Sequence, residues 1–298
     1  MQTHEVKKTD FLALGTAQFG LDYGISNTSG MPDAGHVQDI LNVAKENGVN
    51  TLDTAAAYGK SETVLGACNL DKLSIITKFP SLADVRDEDL YNKIKASVFR
   101  SLDRLKIDHL YGVLAHDSRD MIGERGRQAF AALAELREEG LIGRIGTSVY
   151  NLEEMNELSP FCTKIIQAPF NIFDQRFISQ ASIRKLKQNN SRLYVRSIFL
   201  QGLLLMSPEK RPSYFIPWEK LFTSYDKSVR QSGLNHVAFC LRHAASHGII
   251  EKCVVGVTNL SELNQILSAF TSSLEQKIDT SEFKSTERSL IDPRQWKL

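Results

Sequence analysis

The feature that most constrains the fold is an eightfold alternation of short apolar runs with amphipathic helical patterns. In most intervals apolar residues recur at helical spacing, as Val37, Ile40 and Ala44 do behind a predicted Asp33 cap. Apolar strands that alternate with helices indicate a parallel sheet covered by helices, and eight such units match a (β/α)8 TIM barrel in the α/β class. The predicted strands are Phe11–Ala17, Asn50–Thr54, Leu73–Phe79, Leu110–His116, Ile142–Val149, Lys164–Ala168, Leu193–Ile198 and Lys252–Val257.

A doubly wound sheet is the structural alternative, and it normally carries a glycine-rich turn after its first strand. Gly15, Gly20 and Gly24 are spaced too widely for that turn. We find no linker or internal repeat that divides the sequence. We therefore predict a single barrel domain over residues 1–298, with a long loop at about 203–232 and a C-terminal tail at about 271–298.

The predicted loop is rich in proline and aromatic residues, and long loops in compact domains are usually functional or mobile. Two interpretations stay open: the loop closes over a ligand, or it is an addition without a role in the site. The residues concerned are Pro208, Pro212, Tyr214, Pro217 and Trp218.

Composition excludes several classes of protein. The 298 residues include 36 Lys and Arg against 35 Asp and Glu, a formal net charge of +1, so nothing favours a nucleic-acid or anionic-membrane partner. The N-terminus lacks the apolar run of a signal peptide, and no apolar stretch approaches the length of a membrane span. The cysteines lack CxxC spacing, and we expect a reduced, cytoplasmic protein of unassigned oligomeric state. They are Cys68, Cys162, Cys240 and Cys253.

Polar side chains lie at the carboxyl ends of six of the predicted strands, which is where barrels of this type carry their catalytic residues. Each one alone has an ordinary structural explanation, such as a helix cap, a solvated lysine or a buried histidine. Together on successive strands they indicate a functional site. In chain order they are Asp53, Lys78, His116, Ser148, Gln167 and Arg196.

Tyr58 follows Asp53 closely and adds a phenol to this edge. A phenol is a weak acid at neutral pH, but a neighbouring ammonium such as Lys78 favours its ionised form, and Asp53 balances the lysine. A neutral His116 can donate a hydrogen bond to a carbonyl oxygen. This set suits protonation of a carbonyl while a hydride arrives, and because no side chain supplies hydride, a redox cofactor must do so.

Three segments resemble the aldo-keto reductase family: Thr51–Gly59, Ile76–Lys78 and Leu114–His116. The spacing between them is similar to that of the family, and the resemblance extends over nearly the whole chain. It implies a (β/α)8 barrel that binds a nicotinamide dinucleotide without a Rossmann domain. It also implies that Tyr58 is the general acid, that Lys78 and Asp53 tune it, and that His116 orients the substrate carbonyl.

The resemblance also implies cofactor contacts. Ser148 and Gln167 match residues that bind the nicotinamide carboxamide, although Val149 replaces an asparagine of the family motif. Arg196 stands where many members carry an aromatic residue that stacks on the nicotinamide. It either stacks there or binds an acidic substrate, and both interpretations stay open. The remaining cofactor contacts near the nicotinamide and its ribose are predicted at Gly15, Thr16, Ala17, Asp53 and Ser197.

At the adenosine end, the lysine and arginine that many NADP-dependent members use are replaced by Gly256 and Glu262. A carboxylate repels a phosphate and accepts from a ribose hydroxyl, whereas Thr258 and the following helix N-terminus can still bind phosphate. We predict NADP from the habit of the family, with NAD as the alternative.

Further segments resemble a bacterial branch associated with sugar and polysaccharide biosynthesis: Gly15–Ile25, Phe199–Gly202 and Asp292–Trp296. We therefore expect an enzyme that reduces an aldehyde or ketone to an alcohol with NAD(P)H. In one interpretation this small-molecule carbonyl substrate is sugar-like. The alternatives are a Schiff-base lyase that uses Lys78 and a regulatory protein that binds nicotinamide and turns over slowly. Aromatic side chains suggested as pocket walls are Phe19, Tyr23, Phe170 and Trp296.

No metal site is predicted. His243 and His247 lie four residues apart, but the sequence between them lacks the glutamate of a zinc-protease motif, and no third ligand is evident. A histidine near the end of a helix is favourable for dipole reasons alone.

Overall fold

The protein forms a closed barrel of eight parallel strands in chain order, with β8 paired to β1. The structure is a computed structural model that describes residues 8–25, 30–158, 163–273 and 277–298. The predicted (β/α)8 barrel is confirmed. Cys162 lies outside the described residues.

All eight predicted strands exist, and their ends differ from the prediction by at most two residues. β7 stops at Arg196 because Ser197 adopts a left-handed backbone, with φ of 62°. The strands are β1 Leu12–Gly15, β2 Thr51–Asp53, β3 Ser74–Phe79, β4 Leu110–Ala115, β5 Ile142–Ser148, β6 Ile165–Pro169, β7 Arg192–Arg196 and β8 Ile250–Gly256.

Helices cover the outside of the barrel. The first begins as predicted, because the Asp33 carboxylate accepts the backbone N–H of His36, and it ends ahead of Gly48, whose φ is 85°. The helices are α1 Ala34–Glu46, α2 Ser61–Leu65, α3 Asp87–Leu105, α4 Gly123–Glu138, α5 Leu152–Glu157, α6 Gln180–Gln188, α7 Glu219–Ser232, α8 His236–Ala245, α9 Leu260–Ser273 and α10 Arg288–Ile291.

The segment at about 203–232 is not the long loop that the sequence indicated. Its second half is α7, a 14-residue helix whose buried residues Phe222, Tyr225 and Val229 recur at helical spacing. Short 3-10 turns at Leu200–Leu205, Pro208–Lys210 and Ser213–Trp218 precede it. The prolines before α7 obscured this pattern, because proline disfavours a helix that continues through it.

The C-terminal tail packs against this segment. Phe283, Leu290 and Ile291 are buried in one apolar cluster with side chains of α7. The Tyr214 hydroxyl donates to the Ser289 carbonyl, and the Trp218 indole N–H donates to Glu287. These contacts hold both aromatic residues against the tail.

In the described parts of the chain, no helix combines the length and the apolar character needed to cross a membrane. The same residues include no cluster of three histidine, cysteine, aspartate or glutamate side chains that could hold a metal ion.

His243 on α8 is buried as a neutral ring. It stacks on Phe170 with centroids 4.8 Å apart, meets His247 edge-on at 5.0 Å, and its Nδ1 lies 2.9 Å from the Thr280 hydroxyl. Its Nε2 has no hydrogen-bond partner among the described residues. Burial, and then His247, lower the pKa of His243 to about 3.

This buried histidine predicts a loss of stability in mild acid. A histidine in an unfolded chain titrates near pH 6.5, so below that pH protons bind the unfolded state more than the folded one. The stability is therefore complete above about pH 6.5 and falls as the pH drops towards 3. We expect the free energy of unfolding at about pH 5 to lie about 2 kcal/mol below its value at about pH 7.5 from His243 alone, measured by urea unfolding.

A matched pair of variants checks the source of this pH dependence. His243→Gln removes one titrating ring and should reduce the difference between about pH 5 and about pH 7.5 by about 2 kcal/mol, whereas His36→Gln, at an exposed site on α1, should leave the difference intact. An unchanged slope in His243→Gln would assign the pH dependence elsewhere.

Candidate active site

The strand-end residues converge because each stands two positions after a residue of the barrel interior. Ile76, Leu114, Ile165 and Tyr194 form a buried cluster separate from the core beneath the helices. Side chains alternate across a strand, so the second residue further on points into the same interior, at the carboxyl end of the barrel. The residues two positions further on are Lys78, His116, Gln167 and Arg196.

Asp53 and Lys78 form a buried ion pair at the floor of the site. Lys78 Nζ lies 2.7 Å from Asp53 Oδ2 and donates to the Thr54 carbonyl at 3.0 Å, while its side chain is 1% exposed. Burial by itself would lower the pKa of Lys78, but the Asp53 carboxylate and Tyr58 outweigh it, so the pKa is raised. The lysine is therefore a held cation rather than a free amine.

Tyr58 lies against this cation. Lys78 Nζ is 5.1 Å from the centroid of the Tyr58 ring, and the ring meets His116 edge-on at 5.7 Å. Burial, followed by the charges of Lys78 and Arg196, lowers the pKa of His116 to about 4. His116 is thus neutral at neutral pH, and one ring N–H remains available as a hydrogen-bond donor.

A close approach of two backbones fixes the turn that carries Tyr58. A Cβ on Gly20 would lie 2.0 Å from the Tyr58 carbonyl oxygen, and a Cβ on Gly59 would lie 2.3 Å from the Gly20 carbonyl oxygen. Gly59 also has φ of 53°, which favours glycine. Only glycine fits at either position without displacing the turn. This role of Gly20 was not apparent from the sequence.

Gln167 connects the ion pair to a second part of the site. Its Nε2 donates to Asp53 Oδ1 at 2.6 Å, while its Oε1 is buried and has no hydrogen-bond partner among the described residues. An unsatisfied buried acceptor is costly unless a ligand completes it. A carboxamide N–H₂ group has the donor that this oxygen lacks, so the site fits the amide of a nicotinamide. Ser148, at the end of β5, is buried beside Gln167 in the strand pairing.

The loop after β1 is tied to the same floor. The Thr16 hydroxyl donates to the Asp53 carbonyl at 3.1 Å, and the Ser61 hydroxyl donates to the Thr16 carbonyl at 2.8 Å. The Thr16 side chain is therefore used internally to hold Asp53. Gly15 is buried beside Val254, and Ala17 is partly exposed after it.

Arg196 lies against the aromatic ring of Tyr150, a contact that no sequence pattern indicated. Its guanidinium carbon lies 4.3 Å from the centroid of Tyr150, and Nη2 donates to the Val149 carbonyl at 3.3 Å. Arg294 from the tail approaches the same ring at 3.7 Å. Ser197 follows in its left-handed conformation, and the Asn171 side chain donates to its carbonyl at 3.3 Å.

After the neighbouring strand β8, Glu262 is occupied by a helix cap. Its Oε2 accepts the backbone N–H of Thr258 at 2.7 Å and the Thr258 hydroxyl at 3.0 Å, while Asn259 accepts the Glu262 N–H. The Gln18 side chain fills the space over Gly256, where a Cβ would lie 2.5 Å from its amide oxygen. No signal in the sequence indicated this contact of Gln18.

Two of the suggested pocket walls are core residues instead. Phe19 and Phe170 are buried to 1% and 0% exposure, and Phe170 packs on His243. Trp296 packs edge-on against Phe215 at 4.9 Å. Tyr23 is 41% exposed at the mouth of the site, and its pKa is raised by burial, against the lowering charge of Arg196.

The fold and this site define a barrel enzyme built around a phenol, a buried ion pair and a neutral imidazole. The profile of the aldo/keto reductase family matches residues 11–288 of the sequence, and the chain belongs to that family. It is accordingly an NAD(P)-dependent oxidoreductase.

Individual relatives agree with this assignment. The chain is 29% identical over 263 residues to a protein named D-arabinose 1-dehydrogenase from Saccharomyces cerevisiae, covering 80% of this chain and 78% of that protein. An aldo-keto reductase of Bacillus halodurans in its holo form matches with a TM-score of 0.68 at 19% identity, covering 95% of this chain and 94% of that one. A thermostable aldo-keto reductase in complex with the inhibitor epalrestat matches with a TM-score of 0.67 at 19% identity, covering 95% and 97%. At these identities the two structures support the fold.

Proposed function

We propose that this protein reduces an aldehyde or ketone to an alcohol, with Tyr58 as the general acid. The observation that carries the proposal is the buried Asp53–Lys78 pair, with the Lys78 ammonium 5.1 Å from the Tyr58 ring. A cation held in that place stabilises the phenolate that remains after the proton has left.

The roles of the chain's own residues follow from this arrangement. The Tyr58 O–H gives its proton to the carbonyl oxygen, and the charge left on the phenol is stabilised by Lys78. A neutral His116 donates a hydrogen bond to the same oxygen and orients the carbonyl. Asp53 keeps Lys78 ionised and in position.

The residues that would hold a nicotinamide dinucleotide lie at the ends of β1, β5, β6, β7 and β8 or just after them. We assign the carboxamide to Ser148 and Gln167, since the Gln167 Oε1 lacks a donor among the described residues. When bound, the reduced nicotinamide supplies the hydride. The other proposed contacts are Gly15, Thr16, Ala17 and Ser197 near the nicotinamide end, and Gly256, Thr258 and Glu262 at the adenosine end.

The two alternative functions find less support in the geometry. A Schiff-base lysine must act as a free amine. Lys78 is instead buried in an ion pair with Asp53, and its raised pKa favours the charged form. A regulatory protein with slow turnover would not need the complete set of Asp53, Tyr58, Lys78 and His116.

The first test is a fluorescence titration of the purified protein with NADPH and NADH, followed by turnover of small aldehydes. We expect at least one reduced nucleotide to bind and its consumption to depend on the aldehyde. Binding without aldehyde-dependent consumption would favour the regulatory alternative. If neither nucleotide binds, the proposed function is wrong, and borohydride trapping then tests Lys78 as a Schiff base.

Glu262 makes the choice between NADPH and NADH testable, since the preference for NADP stays a prediction. A carboxylate opposes the 2′-phosphate of NADPH but not the ribose hydroxyl of NADH. We expect Glu262→Gln to raise the affinity for NADPH relative to NADH by about tenfold, the size of one close charge contact. Because Gln can also complete a capping box, the helix start is retained. Equal changes for both nucleotides would mean that Glu262 serves the cap alone.

We also propose that the carbonyl substrate is sugar-like. The name of the yeast relative supports this class. Reduction of short hydroxyaldehydes in preference to alkyl aldehydes of equal length is the expected result, measured as a ratio of kcat/KM. A preference for the alkyl aldehydes would contradict it.

A further inference from the structure

The end of β7 presents a guanidinium whose position is set by its surroundings. The Arg196 carbonyl accepts the backbone N–H of Phe170 at 2.9 Å, and its guanidinium lies on the Tyr150 ring at 4.3 Å. One N–H reaches the Val149 carbonyl at 3.3 Å, a long and weak contact. The side chain is partly buried.

Arg196 differs from the other arginines around it in having no carboxylate. Arg176 forms a double hydrogen bond with Asp174, and Arg294, on the same Tyr150 ring, forms one with Asp292. Arg196 takes part in no ion pair with any residue that the structure describes. A partly buried cation without a counter-charge is unfavourable, and a bound anion relieves that cost.

The charge of Arg196 reaches the reaction centre. It contributes to the lowered pKa of His116, after burial and Lys78, and it opposes the raised pKa of Lys78. It also acts on Tyr23 at the mouth of the site. Arg196 is therefore close to the groups that would surround a carbonyl oxygen.

The backbone beyond Arg196 holds it in place at some cost. Ser197, Leu200 and Gln201 have φ of 62°, 48° and 55°, a conformation that costs about 1–2 kcal/mol for residues other than glycine. Such conformations persist where the surrounding structure imposes them, and they cluster at binding sites. A guanidinium positioned in advance is suited to a planar double hydrogen bond with an oxyanion.

We propose that Arg196 binds an anionic group, a carboxylate or a phosphate, that the carbonyl substrate carries. The inference rests on the proposed reductase function and narrows its substrate to an acidic carbonyl compound. Stacking of Arg196 on the nicotinamide is the competing role, but it would place a guanidinium against a ring that is itself positively charged when oxidised. An anion completes the unpaired guanidinium without that repulsion.

The experiment compares matched aldehydes on the wild type and on Arg196→Gln. The pairs are succinic semialdehyde with butanal, and glyceraldehyde 3-phosphate with glyceraldehyde. We expect the wild type to favour the anionic member of at least one pair. Arg196→Gln should lower the anionic-to-neutral ratio of kcat/KM by about 10–100-fold, mainly through KM for the anion. The affected pair then tells whether the group is a carboxylate or a phosphate.

Arg294→Gln is the matched control. It removes a guanidinium that lies on the same Tyr150 ring but already has a carboxylate partner, Asp292. It should change the anionic-to-neutral ratio less than about twofold, within the range of a surface charge. Nucleotide titration of Arg196→Gln provides a readout independent of turnover, and an unchanged affinity is expected.

Three results would overturn the proposal. If Arg196→Gln slows both members of each pair equally and weakens nucleotide binding, Arg196 serves the nicotinamide. If the wild type has no preference for either anion, the substrate is neutral and the reductase function stands. If no aldehyde is reduced although the nucleotide binds, the reductase function and this inference both fail.

Discussion

Tyr58→Phe is expected to lower kcat for carbonyl reduction by about 10³-fold, in the range of lost general acid catalysis, while the affinity for the nucleotide stays unchanged. Removing the hydroxyl takes away the proton, but the ring remains between Lys78 and His116. Steady-state kinetics and fluorescence titration on the same preparation separate the two effects.

Tyr23→Phe is the control for this prediction, since Tyr23 is a second phenol close to Tyr58. Burial raises the pKa of Tyr23, more than Arg196 lowers it, which makes Tyr23 a poorer acid at neutral pH. We expect its loss to lower kcat by less than about tenfold, below the usual range for a general acid. If Tyr23→Phe abolished turnover and Tyr58→Phe did not, the acid would be Tyr23.

The positions at the strand ends were predictable because strands impose a strict alternation of side chains. Once Ile76 and Leu114 face the barrel interior, Lys78 and His116 must face it too, one layer higher. The eight-strand order and the buried Asp53 follow from the same pattern. Sequence reasoning therefore located the residues of the rim.

Contacts between loops were not predictable by the same logic. Arg196 stacks on Tyr150, and the Gln18 amide fills the space beside Gly256. Both contacts depend on side-chain rotamers and on the path of loops that have no fixed period. The approach of Gly20 to the Tyr58 turn is set by backbone sterics between segments about 40 residues apart. The helical spacing of α7 was present in the sequence, but the prolines in the preceding segment favoured the prediction of a loop.

The second large effect is expected at the Asp53–Lys78 pair, where stability and catalysis can be separated. Lys78→Met leaves the Asp53 carboxylate buried at 3% exposure, with Gln167 as its remaining side-chain donor among the described residues. We expect this variant to lose about 3–5 kcal/mol of unfolding free energy, because an unpaired buried charge is costly. Urea unfolding at neutral pH measures the loss.

The double variant Asp53→Asn with Lys78→Met removes both charges, and the introduced asparagine side chain keeps an oxygen that can accept from Gln167. Neutral pairs in place of buried ion pairs are often as stable as the original, so we expect most of the lost stability to return. Turnover should not return, since no cation then stabilises the Tyr58 phenolate. If the double variant recovered stability and also catalysed at the wild-type rate, the ion pair would be structural only. If it remained as unstable as Lys78→Met, the lost stability would come from packing of the lysine side chain rather than from an unpaired charge. Recovery of folding without recovery of kcat is the result that assigns the buried pair to the chemistry.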